Sequence, residues 1–92
     1  MTGAPITRLV EIRNKRGLHA RASAKFVGVA SRYDAEIQVS KDGIEVSGTS
    51  IMGLMLLAAA TGDKITLKAT GRQHGEAIEA LEELVAEKFG EE

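Results

Sequence analysis

The 92-residue chain has no cysteine, no tryptophan and a single proline. Without cysteine, disulfides, thiolate metal ligands and cysteine nucleophiles are all excluded, and a reducing cytoplasm is the expected compartment. Aromatic side chains are only 3% of the residues. The core must therefore be aliphatic, and the stacking platforms of single-stranded nucleic-acid binders are missing. Long apolar runs are also absent. The longest, Leu54 to Ala60, is far too short to cross a bilayer, and the opening MTGAPITRLVEI reads as neither a secretory signal nor a membrane span. The two histidines, His19 and His74, lie far apart with no acidic cluster around either, so no metal site is expected.

What is present suits one small globular domain, 1–92, with 43% hydrophobic and 27% charged residues. Net charge is −1, but it is unevenly distributed. Residues 1–32 hold seven basic side chains against Glu11 alone, and residues 33–92 hold five against twelve acidic ones. An anionic ligand or acidic partner is expected near the N-terminal third, although charge alone fits a solvated basic face equally well.

Hydrophobic periodicity predicts the elements. Ile6, Val10 and Ile12 mark a first strand. Ser23, Phe26, Val27 and Ala30 stripe a helix from about Ala20 to Ser31. Ile37 and Val39, then Ile44 and Val46, alternate with polar residues on either side of Asp42-Gly43, a hairpin signal. TSIMGLMLLAAA predicts a short helix capped by Thr49 or Ser50, with Leu54, Leu57 and Ala58 facing inward. KITLKAT is a further strand, presenting Ile65, Leu67 and Ala69 to the core. A final helix runs from about Gly75 to Phe89, with Gly90 as its C-cap and His74 as a turn or cap residue before it. The order β-α-β-β-α-β-α implies a two-layer, open-faced α/β (α+β) sandwich, a four-stranded antiparallel sheet with three helices on one face. Periodicity does not set the strand order.

The stretch NKRGLHARASAKFV concentrates the chemistry. Gly17 permits a tight path into the first helix, which puts His19 at or next to the N-cap, and Leu18 can anchor the turn. There, backbone N–H groups lack intrahelical acceptors and the helix dipole adds partial positive charge, which together make an anion site. Arg21 adds a guanidinium suited to phosphate oxygens. The same field disfavours imidazolium and leaves a lone pair for attack on phosphorus. An isolated G-x-H-x-R pattern can equally be a capping histidine beside a solvated arginine.

GLHARASAKFV followed by SIMGLM resembles the HPr family, the histidine phosphocarriers of the bacterial phosphoenolpyruvate-dependent phosphotransferase system, over nearly the whole chain. The resemblance implies that His19 accepts a phosphoryl group through Nδ1, that Enzyme I donates it and that a IIA domain receives it. It implies that Arg21 stabilises the phosphate and that Ser50 is the regulatory serine modified by HPr kinase/phosphorylase where that enzyme exists. Ile51, Met52 and Met55 align with the apolar docking patch. The expected protein is a monomeric cytoplasmic carrier with no cofactor, not an enzyme in the strict sense, and with no nucleic-acid or membrane partner. Two positions depart from the family. Ala22 replaces the usual proline, restoring a first-turn N–H and giving up a fixed φ. Ala58 stands where glycine is common.

Ser50 also has a plain reading as an N-cap. A phosphate there would place negative charge at a helix N-terminus beside apolar side chains, blocking docking without touching His19. A rival reading is therefore a regulatory interaction protein of a nitrogen-type or incomplete phosphotransferase pathway, acting through Ser50 and the patch. A hydrolase using His19 as base lacks a partner constellation, since Ser23 lies a helical turn away and reads as a packing residue.

Overall fold

The turn signal at Asp42-Gly43 is realised with positive φ at both residues, 52° and 84°, the conformation that matches the twist of a two-residue hairpin. The computed structural model describes residues 4–91. Its elements are β1 (Ile6–Glu11), α1 (Ala20–Ala30), β2 (Glu36–Lys41), β3 (Ile44–Ser47), α2 (Ile51–Leu56), β4 (Lys64–Thr70) and α3 (His74–Ala86), and a 3-10 turn, Lys88–Gly90, follows α3. The strands form one antiparallel sheet in the order β1-β4-β2-β3, with Ile6 opposite Ala69, Ile37 opposite Ala69 on the other side, and Val39 opposite Val46.

Register follows from burial. Ile37, Val39, Ile65, Leu67 and Ala69 all point to the helix-covered side and are buried. Shifting any of these strands by one residue would turn its apolar set to solvent. The three helices add Phe26, Leu54, Ile78, Leu81 and Val85 to the same core. The other face of the sheet is open, and Leu9 on it is 64% exposed. Arg8 lies on the helix side of the edge strand, and its guanidinium reaches Glu82 of α3 at 3.6 Å.

Ile44 shares the inward parity of Val46 but is half exposed at the tip of the hairpin. Two expectations are corrected. Ala58 is exposed rather than inward. It takes φ 52° just after α2, where its N–H bonds back to Met55 O at 3.0 Å, and the core position belongs to Ala59. This is the left-handed slot after a helix that glycine usually fills. Finally, α3 stops at Ala86, and Gly90 does not cap it. Lys88, Phe89 and Gly90 have φ of 59°, 57° and 75°, so the chain doubles back and seats Phe89 in the core. Burial of a large aromatic side chain, of about 1.5–3 kcal/mol, supports this strained reversal. Lys25 Nζ holds it by donating to Phe89 O at 2.7 Å.

Candidate functional site

The loop from Asn14 to His19 is fixed by backbone contacts that only particular residues allow. Gly17 has φ 67°, and a Cβ there would sit 2.2 Å from Ala59 O, so no other residue fits without movement. Leu18 N donates to the same carbonyl at 2.9 Å, which ties the histidine loop to the segment following α2. Leu18 itself is buried. Asn14 is fully buried. Its Nδ2 donates to Gly17 O at 2.8 Å, while Oδ1 has no partner among the described residues.

His19 emerges from this loop as the N-cap of α1, with φ −76° and ψ −178°. Its carbonyl accepts from Ser23 N at 2.9 Å, and its ring Nδ1 accepts from Arg21 N at 3.3 Å. The imidazole thus takes the place that a serine or aspartate oxygen occupies at other helix starts. The other ring nitrogen, Nε2, lies 2.7 Å from Glu91 Oε2. A carboxylate only accepts, so Nε2 carries the proton and Nδ1 keeps the lone pair. Both ends of the ring assign the same tautomer.

Glu91 is gripped on both oxygens, since Asn14 Nδ2 donates to Oε1 at 3.1 Å. Its carboxyl is held below the usual carboxylate range. The His19 hydrogen bond is the main cause, opposed by partial burial and assisted by the Asn14 bond and by the attraction of His19 and Lys25. The helix field therefore does not act alone on the ring, because a negative group sits against it. Lys15, Arg16 and Arg21 line the same depression as His19 and Glu91. A larger groove, about 460 Å³ against about 310 Å³, runs along Tyr33, Asp34, Thr49 and Thr70, but no cationic side chain lines it. Size does not single out the depression with the cationic lining.

Gly17, His19, Arg21 and Ala22 are thus brought together, Ala22 being buried in the first turn of α1. Ser50 lies at a different helix start. It is the N-cap of α2, its Oγ accepting from Gly53 N at 2.9 Å, whereas Thr49 bonds instead to Ser47. Ile51, Met52 and Met55 are exposed by 40, 77 and 43%, and Leu56, which sequence reading passed over, by 71%. These are too exposed to be core residues, and together they form an apolar strip along α2. His74 is the first residue of α3, away from the site. No group of three or more potential metal ligands occurs among the described residues.

Asn14 and Glu91 were missed by sequence reading. Asn14 lies in the motif stretch, and its signal was a polar residue followed after three positions by the turn glycine. Glu91 gave none, because its place depends on the chain reversal at Lys88–Gly90.

Residues 6–87 match the family described as PTS HPr component phosphorylation site. The chain is 51% identical over 82 residues to phosphocarrier protein HPr of Neisseria meningitidis serogroup B (strain ATCC BAA-335 / MC58), covering 89% of this chain and 92% of that one. Its fold is similar to the crystal structure of HPr-C-His from Thermoanaerobacter tengcongensis, with TM-score 0.91 and 46% identity over 95% of this chain and 98% of the other. It is also similar to the solution structure of Crh, the Bacillus subtilis catabolite repression HPr, with TM-score 0.64 and 45% identity over 87% and 95% of the two chains.

Proposed function

The chain belongs to the HPr family of phosphotransferase-system phosphocarriers, and on that premise we propose that Nδ1 of His19 is the atom that carries the phosphoryl group. Phospho-Enzyme I is the donor and a IIA domain the acceptor. The observation that supports this reading is the unprotonated Nδ1 at the start of α1, which accepts only a long bond from Arg21 N while the Nε2–H contact to Glu91 sets the tautomer.

In the loading step Nδ1 attacks phosphorus as the donor's bond to phosphorus breaks, and Nε2 keeps its proton throughout. Donors for the phosphoryl oxygens are close by. Of the first-turn amides of α1, Arg21 N already bonds to Nδ1 of His19, and Ala22 contributes one that a proline could not. The Arg21 guanidinium supplies a paired, charge-assisted contact, with Lys15 and Arg16 along the same depression. Unloading is the reverse displacement on the acceptor. Ile51, Met52 and Met55, extended by Leu56, serve as the partner-docking strip, and methionine suits a surface that fits more than one partner. The four-stranded sheet and single core cluster support one HPr-like domain over 1–92. The reading carries with it a monomeric cytoplasmic carrier with no cofactor of its own.

A second reading is favoured by the Ser50 cap and the likeness to Crh: a regulatory interaction protein, of a nitrogen-type or incomplete phosphotransferase pathway. HPr kinase/phosphorylase would then place a phosphate on Ser50, beside exposed Ile51 and Met52.

Incubation with Enzyme I and phosphoenolpyruvate, followed by intact mass, tests the first reading. The expected gain is one phosphate, about 80 Da, labile to acid as a P–N bond is and absent from His19→Ala. No gain with a competent Enzyme I sinks the carrier reading. An acid-stable phosphate added only by the kinase supports the regulatory one.

A further inference from the structure

Glu91 is the element of the site that the carrier reading does not use. It is 72 residues from His19 in sequence, yet its carboxylate sits 2.7 Å from Nε2, and three separate contacts bring it there. Phe89 is fully buried in a left-handed conformation, Lys25 holds the Phe89 carbonyl, and the buried Asn14 amide holds the second carboxylate oxygen. A side chain at random on the surface would not be gripped on both oxygens.

We propose that Glu91 is a positioning residue for phosphoryl transfer, holding the proton on Nε2 of His19 so that Nδ1 keeps its lone pair for loading and the ring leaves readily on unloading. The inference rests on His19 being the phosphorylated residue. As Nδ1 forms its bond to phosphorus, its electron pair is withdrawn and the ring gains positive charge with Nε2–H in place. That charge develops against the Glu91 carboxylate. In the reverse step the N–P electrons return to the ring, which departs neutral and still protonated on Nε2. A carboxylate behind an imidazole does comparable work in hydrolytic triads, where it sets the tautomer and stabilises the charged ring. Here Lys15, Arg16, Arg21 and Lys25 also face the carboxylate or its depression, and their fields partly offset it.

The test compares wild type, Glu91→Gln and Glu91→Ala with phosphoramidate as donor, so that partner docking plays no part. In that reaction Nδ1 displaces ammonia from phosphorus, and the broken P–N pair leaves with the ammonia. Histidine 15N shifts of the unmodified proteins report the tautomer. Wild type is expected to show Nε2–H alone. Glu91→Gln, which keeps an acceptor oxygen, should retain that tautomer, and Glu91→Ala should mix the two. Loading of Glu91→Ala should slow by about tenfold. Its phosphohistidine should also hydrolyse more slowly than wild type, because ring protonation assists loss of phosphorus. Slower loading together with a longer-lived product is a signature that simple damage to the fold does not produce. Equal tautomers, rates and half-lives in wild type and Glu91→Ala overturn the proposal while leaving His19 as carrier. If wild type gains no acid-labile phosphate from phosphoramidate or from Enzyme I, the carrier reading and this inference fall together.

Discussion

The starts of α1 and α2 use the same local device and come to different ends. At each, a side chain at the N-cap accepts from a first-turn amide, His19 Nδ1 from Arg21 at 3.3 Å and Ser50 Oγ from Gly53 at 2.9 Å. Neither helix has an acidic residue in its first turn. What separates them is what surrounds the cap. His19 is ringed by Lys15, Arg16 and Arg21 and backed by Glu91, whereas Ser50 is followed by Ile51 and Met52 standing in solvent. One cap is surrounded by charged side chains and the other by exposed apolar ones. A helix N-terminus supplies donors in both cases, but the neighbouring groups decide whether they serve a reaction or a fold.

The contrast can be broken most forcefully at Gly17. Gly17→Ala puts a methyl against Ala59 O at a left-handed position. It should cost about 3 kcal/mol in denaturant unfolding and reduce phosphorylation by Enzyme I, because the histidine loop must shift. A variant as stable as wild type would mean that this loop does not set the site. Arg21→Ala comes next. Its guanidinium is exposed, so unfolding should be unchanged within ~0.5 kcal/mol, while loading slows by about tenfold to a hundredfold. Equal loading rates would remove Arg21 from the site.

Ser50 sharpens the other side. Ser50→Ala should lose about 1 kcal/mol of stability through the cap and leave phosphorylation of His19 intact. Ser50→Asp keeps a capping oxygen, so its melting temperature should stay near wild type while binding to Enzyme I weakens in calorimetry. Unchanged binding would argue that charge at this cap does not reach the docking strip.

The smallest effect lies in acid. The Glu91 carboxyl is depressed in the folded protein, so its contribution is fully present above the unfolded value near 4.5 and disappears as pH falls through the lower folded value. Glu91→Gln lacks this titration. Wild type should therefore exceed the variant in stability at pH 6, and the gap between the two unfolding curves should narrow as pH falls below 4.5. A gap that widens as pH falls below 4.5 would show that the ion contact is not what the substitution removes.

Much of this comparison could be read before any coordinates. Asp42-Gly43 set the hairpin because few other pairs accept positive φ at both turn positions. Ile65, Leu67 and Ala69 showed their face because a strand alternates sides at every residue. His19, Arg21 and Ser50 were found through short-range rules of helix starts together with the resemblance to a family. The errors lie where a contact across the fold overrode a local pattern. Phe89 was read as the end of the last helix, but the core drew it into a reversal instead. Ala58 sat in an apolar run, yet the chain needed a left-handed residue there.

The sequence by itself determined the elements, the inward face of most of them and the placing of His19 at a helix start, since each depends on groups within a few positions along the chain. Tertiary structure alone decided the strand order β1-β4-β2-β3, the burial of Asn14 and the arrival of Glu91 at His19. Those contacts join residues up to 77 positions apart. No local period encodes them, because they form only when the whole apolar surface, Phe89 included, is buried at once.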